Sequence, residues 1–310
     1  MEADAKLKKP PWLKKRLASG ETYRKVFRLL KESHLHTVCQ EAHCPNLGEC
    51  FSEGTATFMI LGDQCSRNCS FCAVRHDPPL PLDEDEPEEV SKAIKALGLK
   101  YAVITSVTRD DLPDGGADQF GKTVRAVRAE SPETSVEVLI PDFKGSKTAL
   151  VKVVTSRPDV INHNLETVPR LYPEVRPQAV YERSLQLLER IEKMDRRILT
   201  KSGLMLGLGE SREEIIGVFE DLLKAGCRIL TMGQYLCPSS DHHPVVRYVH
   251  PQEFSDLESI AKEMGFVAVA SGPFVRSSFH AGEIFLKLKE MLRGKNHNDQ
   301  NHPSRIRSFS

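Results

Sequence analysis

Between residues 57 and 271 the chain alternates short apolar runs with helical stretches of about ten to fifteen residues, and this rhythm leaves few folds open. The apolar runs are TFMIL at 57–61, YAVITS at 101–106, SVEVLIP at 135–141, DVINHN at 159–164, TKSGLML at 200–206, CRILTMGQ at 227–234 and VAVAS at 267–271. Helical periodicity lies between them, near 87–97, 117–129, 146–155, 179–193, 212–224 and 251–264. Strands that are continuously apolar and separated by helices build parallel sheets with right-handed crossovers. Six or seven such units favour an α/β fold of the (β/α)6 TIM-barrel type, complete or partial, over an open doubly wound sheet. With 310 residues and 40% hydrophobic content, one barrel with extensions can bury a large core.

A barrel of this kind carries its chemistry on the loops that leave the carboxyl ends of the strands. The polar clusters of the chain stand there: a cysteine triplet after the first strand, Thr105–Asp114 after the second, Asp142 after the third, and Asn162, His163, Asn164 and Glu166 after the fourth. Gly207–Glu210 follow the fifth, and Gln234 and Tyr235 the sixth.

Six of the eight cysteines fall between Cys39 and Cys72. Cys39, Cys44 and Cys50 are spaced Cys-x4-Cys-x5-Cys, and Cys65, Cys69 and Cys72 are spaced Cys-x3-Cys-x2-Cys. Crowded thiols bind zinc or iron–sulfur clusters, or pair as disulfides in an oxidising compartment. The first twenty residues, MEADAKLKKPPWLKKRLASG, contain no signal-peptide core, and no run of about 18 apolar residues occurs. A cytoplasmic protein with reduced thiols and no membrane association is therefore expected. Structural zinc wants four ligands, usually as two close pairs, and only Cys69 and Cys72 form one. Iron–sulfur chemistry suits the triplets better, although a four-iron cluster ordinarily takes four cysteines. Cys227 opens an apolar strand and reads as core, whereas Cys237 follows Tyr235-Leu236 and is placed at the border of the site. His242-His243 has no second pair at zinc-ligand spacing and reads as a surface or substrate loop.

Charge excludes one class of partner. Lys+Arg and Asp+Glu both number 43, so nothing favours wholesale nucleic-acid binding. The imbalance is local: a basic arm occupies the first 28 residues, and an acidic run, DEDEPEE, spans 83–89. The acidic run suits a helix amino terminus, and the arm suits either a solvated surface or an acidic protein substrate.

The stretch CSRNCSFC is the Cys-x3-Cys-x2-aromatic-Cys motif of radical S-adenosylmethionine enzymes. With Cys39–Cys50 before it, and with Thr105–Ala117 (TSVTRDDLPDGGA), His163–Pro177 (HNLETVPRLYPEVRP), Met205–Glu210 (MLGLGE), Gly233–Leu236 (GQYL) and Arg276–Glu283 (RSSFHAGE), the chain resembles the lipoyl synthase family over nearly its whole length.

The resemblance implies two 4Fe-4S clusters and S-adenosyl-L-methionine. Cys65, Cys69 and Cys72 hold the radical cluster and leave one iron free for the amino and carboxylate groups of S-adenosylmethionine. Cys39, Cys44 and Cys50 hold an auxiliary cluster whose fourth protein ligand is a serine of the Arg276–Phe279 segment, Ser277 in preference to Ser278. Phe279 replaces the family's usual tyrosine and removes a hydroxyl beside that serine. An alkoxide is a hard ligand for such a cluster, which suits one that is dismantled. The implied reaction inserts sulfur from the auxiliary cluster at C6 and then C8 of an octanoyl chain on a carrier-protein lysine. It consumes two molecules of S-adenosylmethionine. Expected contacts to S-adenosylmethionine are Thr105 and Ser106 for the amino-acid moiety and Asn162 and Asn164 for ribose or carboxylate. Glu137 would meet a donor, Arg176 a carboxylate, and Gln234, Tyr235 and Leu236 the adenine. Implied partners are octanoylated lipoyl domains of 2-oxoacid dehydrogenases and the glycine-cleavage H protein, a ferredoxin or flavodoxin reductant, and an iron–sulfur carrier.

The expected division is an N-terminal extension with the auxiliary cysteines (1–56), the barrel (57–271), and a C-terminal extension with the serine ligand, an amphipathic helix at 281–293 and a disordered polar tail (272–310). The extensions are expected to cover the barrel's open face. Two other readings are an enzyme resembling biotin synthase, whose auxiliary ligands lie elsewhere, and a non-catalytic iron–sulfur carrier, which needs no barrel.

Overall fold

The apolar runs become strands because both of their faces are covered. The computed structural model describes residues 8–15 and 19–300, with side chains as far as Glu290. Among the described residues a 3-10 turn (Pro11–Leu13) comes first, followed by helix α1 (Glu21–Glu32), strand β1 (His36–Thr37) and two short helices, α2 (Val38–Glu41) and α3 (Leu47–Ser52). The alternating part follows as β2 (Thr57–Ile60), α4 (Glu86–Leu97), β3 (Tyr101–Ser106), α5 (Ala117–Glu130), β4 (Ser135–Leu139), α6 (Lys147–Thr155) and β5 (Val160–Asn162). It continues with α7 (Tyr172–Val175), α8 (Tyr181–Met194), β6 (Leu199–Leu206), α9 (Arg212–Lys224), β7 (Ile229–Gln234), α10 (Pro251–Met264), β8 (Ala268–Gly272) and α11 (Ala281–Gln300).

The eight strands form one sheet in sequence order, with β2 to β8 parallel and β1 antiparallel to β2. The neighbours in that order are β1 at one edge and β8 at the other, which is a barrel left open along one side. In-register pairs such as Met59 with Thr105, Leu139 with Asn162 and Leu206 with Gln234 bring the polar strand ends to one rim. Side chains such as Ile104, Val138, Ile161 and Leu230 are fully buried, as are Ile94, Phe120, Leu188 and Phe219 on the helices. Each such side chain contributes roughly 1.5–3 kcal/mol by leaving water. Local signals agree with the fold: Ser211 and Glu214 form a reciprocal capping box on α9, and Gly98 ends α4 in the left-handed conformation at φ 64°.

Three features depart from the expectation. Pro45, Gly48 and Gly54 predict that the first cysteine triplet is mostly loop, but Cys39 lies on α2, capped by the Thr37 hydroxyl, and Cys50 lies on α3. Pro45 falls in the turn between the two helices, and Gly48 is taken into the first turn of α3. Second, α11 runs on to Gln300, past the expected end at 293; residues 301–310 of the expected tail lie outside the described part. Third, the extensions do not share one face. Residues 273–280 turn back from β8 towards the cavity side, whereas α11 buries Phe285 and Leu288 against Val160, Leu199 and Ile229, with Tyr101 and Ala268 beside them. All five partners are the first residues of their strands, so α11 seals the amino end. An apolar helix face is drawn to the apolar floor, while the polar segment before it stays at the polar rim.

Candidate functional site

A cavity of about 530 Å³ opens at the carboxyl ends of the strands. Both cysteine triplets reach it: Cys39 and Cys44 from the N-terminal segment, and Cys65, Cys69 and Cys72 from the loop after β2. Thr105, Ser106, Asn164, Arg176, Tyr235, Leu236, Ser277 and Ser278 also line it, and Cys237 stands at its border. Cys50 is not in the wall but lies close enough to Cys39 and Cys44 to feel their charge.

The loop carrying the second triplet is held from several directions. Cys65 Sγ accepts from the Thr108 amide at 3.3 Å, and the Cys65 amide donates to the Arg75 carbonyl at 2.8 Å. Arg67, between the first two cysteines, is 5% exposed and forks onto Asp110 at 2.7 and 3.0 Å and onto Asp142 at 2.6 Å. Burial alone would raise the Asp142 carboxyl, but the Arg67 hydrogen bond and charge outweigh it and hold Asp142 at about 2. On the far side the Ser70 hydroxyl donates to the Glu174 carbonyl at 2.8 Å. The Ser70 carbonyl accepts from the His243 amide at 2.8 Å, and the Cys72 carbonyl accepts from His242 Nε2 at 3.0 Å. The histidine pair is thus a strap on the cysteine loop.

All eight cysteines are free. Burial, reinforced by neighbouring thiols, pushes Cys50 and Cys72 up to about 12; burial also pushes Cys39 to about 11 and raises Cys69. Such a donor set stays neutral until a cation supplies the missing charge. Among the described residues, no three His, Cys, Asp or Glu side chains converge as a single metal ion requires. Two free triplets around one cavity fit multi-iron clusters better than a mononuclear ion. The cavity also fits a polar ligand. Ser106 Oγ, Asn164 Oδ1 and Arg176 Nε are buried in its wall without a hydrogen-bond partner, which is costly unless something else satisfies them.

The other expected contacts are placed differently. The Thr105 hydroxyl donates to the Leu139 carbonyl at 3.1 Å, and Tyr235 donates to the His243 carbonyl at 2.6 Å, so these present other atoms to the cavity. Glu137, Asn162 and Gln234 are not part of the wall. Gln234 spends its amide on the carbonyls of Leu206, Tyr235 and Arg247 and on the Val249 amide, tying β7 to the following loop. Glu137 pairs with Lys201, and Asn162 donates to Glu137 at 3.2 Å. Two side chains to which the sequence reading gave no contact also reach the wall. Glu166 accepts from Asn164 at 3.0 Å, and its desolvation raises its carboxyl; Arg276 faces the same space. Glu166 belongs to the polar cluster expected after the fourth strand, without a role assigned to it, and Arg276 lies in the RSSF stretch that was read only for its serines.

Ser277 is seated by two bonds, its hydroxyl oxygen accepting from Asn164 Nδ2 at 2.6 Å and its carbonyl from Lys201 Nζ at 2.6 Å. Phe279 meets a cation instead of a hydrogen-bond partner: Lys15 Nζ lies 4.9 Å from its ring and 4.8 Å from that of Phe274. Lys15 also binds Asn46, whose amide donates to the Phe274 carbonyl at 2.7 Å. The arm, the first triplet and the serine segment are thereby fastened together.

His163, in the same wall, donates from Nδ1 to the Ile140 carbonyl at 2.8 Å and meets Ser184 Oγ at 2.9 Å through Nε2. Burial, with Arg176 nearby, lowers its pKa to about 4. The unfolded chain therefore binds a proton between about 6.5 and 4 that the native protein refuses, and stability falls as pH drops through that window. Denaturant unfolding of cluster-free protein is expected to lose about 2 kcal/mol between pH 7 and pH 5. The same loss in His163→Gln would assign it to other groups.

Comparison with known proteins places the chain in a family. A radical SAM superfamily profile matches residues 59–222, and the N-terminal domain of lipoyl synthase of the radical SAM family matches residues 1–44. A lipoyl synthase of Alkaliphilus metalliredigens is 55% identical over 284 residues, 92% of this chain and 98% of that protein. Those of Caldicellulosiruptor saccharolyticus and Nitrosomonas eutropha are 54% and 56% identical over 89% of this chain, covering 97% and 88% of their own lengths. Among solved structures, HydG, a maturase of the [FeFe]-hydrogenase, matches with TM-score 0.53 at 15% identity over 78% of this chain and 61% of its own. Streptococcus suis SuiB bound to the precursor peptide SuiA matches with TM-score 0.53 at 13% identity, over 80% of this chain and 52% of its own. These two likenesses concern the fold, a partial barrel of the radical SAM type. With both triplets at one cavity and sequence identity running along nearly the whole chain, the protein belongs to the lipoyl synthase family of radical SAM enzymes.

Proposed function

We propose that this chain is a lipoyl synthase that inserts two sulfur atoms, at C6 and C8, into an octanoyl group held in amide linkage on a carrier-protein lysine. The observation that carries this reading is the meeting of both cysteine triplets at one cavity, a radical source beside a sulfur store. Cys65, Cys69 and Cys72 would hold the radical cluster, and Cys39, Cys44, Cys50 and Ser277 the auxiliary one. When bound, these clusters and S-adenosylmethionine supply the electron, the hydrogen-abstracting radical and the sulfur.

The chain's own residues bind and orient. Ser106, Asn164 and Arg176 offer unpaired polar atoms to S-adenosylmethionine, and Thr105, Tyr235 and Leu236 shape the wall around it. Apolar wall residues such as Val107, Leu204 and Met205 suit an eight-carbon chain and exclude water. Glu137, Asn162 and Gln234 act behind the wall, on the residues that form it. Octanoylated lipoyl domains and the glycine-cleavage H protein are the substrates of this reading, with a ferredoxin or flavodoxin as reductant and an iron–sulfur carrier for cluster repair. A cytoplasmic location accords with this chemistry, and among the described residues no helix is long and apolar enough to cross a membrane.

Anaerobic reconstitution is expected to give about eight irons per chain; a stable limit near four with all six cysteines intact would count against the auxiliary site. Incubation with reductant, S-adenosylmethionine and an octanoyl-lysyl peptide is expected to yield a peptide heavier by two sulfurs. Deoxyadenosine with an unchanged peptide would leave the radical chemistry and remove the substrate.

A further inference from the structure

Beneath the cavity, the barrel interior holds a buried ion pair that does not line the cavity itself. Lys201 on β6 and Glu137 on β4 are 2% and 0% exposed. Lys201 Nζ donates to Glu137 Oε1 at 2.8 Å and Oε2 at 3.0 Å, and reaches the Ser277 backbone carbonyl at 2.6 Å. The carboxylate is completed by the Tyr101 hydroxyl at 2.6 Å and Asn162 Nδ2 at 3.2 Å. The ammonium and the carboxylate are thus saturated by the protein, and neither residue lines the cavity.

A buried ion pair is a poor way to stabilise a barrel, because desolvation cancels much of the attraction and apolar replacements are often neutral. The strands do not need it either, since β5 lies between β4 and β6 and pairs with both. What an apolar pair could not do is donate the third hydrogen bond of Lys201. That bond holds the segment returning from β8, which already lies so close to β7 that a Cβ on Gly233 would sit 2.0 Å from the Val275 carbonyl oxygen. The Ser277 hydroxyl is held separately by Asn164, whose amide also donates to Glu166. Serine backbone and serine hydroxyl are therefore fixed from two sides by the barrel alone.

We propose that Lys201 and Glu137 are positioning residues which hold the Ser277 backbone, so that its hydroxyl stands ready in the cavity before a cluster is present. The proposal rests on the reading of Ser277 as a ligand of the auxiliary cluster. A hard oxygen ligand binds such a cluster weakly, and one that must leave and return whenever the cluster is rebuilt cannot rely on the cluster for its placement. The carboxylate aims the lysine, and the lysine holds the serine.

The test uses full-length Lys201→Met/Glu137→Gln, which leaves no lone buried charge, and as a second version Lys201→Gln/Glu137→Gln, an amide pair too short to reach the serine carbonyl. In cluster-free protein, amide exchange over residues 275–279 is expected to quicken about tenfold or more, while β4 and β6 keep their protection. After reconstitution, the oxygen-ligated iron in the Mössbauer spectrum is expected to be lost, with deoxyadenosine formation retained. Tyr101→Phe removes one bond to Glu137 but leaves the Lys201 contact, and should leave exchange and spectrum near wild type. Unchanged exchange over 275–279 in the double variants overturns the proposal, as does equal loosening in Tyr101→Phe, which would reduce the network to packing. Ser277→Ala examines the premise separately: it should lose the oxygen-ligated signature yet keep 275–279 protected. A signature that survives in Ser277→Ala overturns the ligand reading, and the positioning role with it.

Discussion

Cys69→Ala is expected to abolish cleavage of S-adenosylmethionine, while Cys44→Ala is expected to leave cleavage intact and stop sulfur insertion. The loop bearing Cys69 is fastened to Asp110, Asp142, Glu174, Gln178 and the His242-His243 strap. None of those anchors belongs to the segment that carries Cys44, so damage to one triplet need not reach the other. Cys44 sits instead between α2 and α3, in the part tied to the serine segment through Asn46 and Lys15. Deoxyadenosine and sulfur-containing product, followed in the same reconstituted samples, separate the two roles. Equal loss of cleavage in both variants would show that the division of labour is wrong.

Arg67→Ala is expected to produce the largest loss of stability, about 3 kcal/mol, because it removes the principal partner of a carboxylate that cannot reach water. Asp142 is 1% exposed, and without Arg67 it keeps only Arg183, at 3.1 Å, as a cation. Its depressed pKa then loses its main cause, and the site pays for a poorly compensated charge. Denaturant unfolding of the cluster-free variant measures the loss; a change below about 1 kcal/mol would mean that Arg183 and nearby backbone donors suffice. Arg67→Lys is expected to recover only part, since an ammonium cannot fork onto Asp110 and Asp142 together. Because Arg67 lies between Cys65 and Cys69, the same variant should take up less iron at the radical triplet than at the auxiliary one.

Much of this protein is legible from local pattern. The seven parallel strands, the helices between them and the rim that carries the chemistry follow from apolar periodicity and from the placement of polar residues at strand ends. Count and spacing of the two triplets favour iron–sulfur chemistry over structural zinc, and the aromatic before Cys72 marks the second as the radical SAM motif, in accord with the family match. The two-residue strand β1 was not legible, since its pairing with β2 depends on a neighbour and not on its own composition. Nor was the end of the barrel that α11 would seal.

The distribution of roles among polar residues is where sequence ran out. Thr105, Ser106, Asn162, Asn164, Glu137 and Gln234 all read alike, as polar groups at or near the ends of buried strands. Tertiary structure separates them: Ser106 and Asn164 keep unpaired atoms in the cavity, Gln234 is consumed by four bonds to backbone, and Glu137 is claimed by Lys201 and Tyr101. The amino-acid sequence by itself determined the barrel and the family. Only the tertiary structure decided which polar side chains face the cavity and how Ser277 is held there. Strand periodicity reports which residues are buried, but the partner of a buried polar atom is chosen by register, charge and distance between segments far apart in the chain.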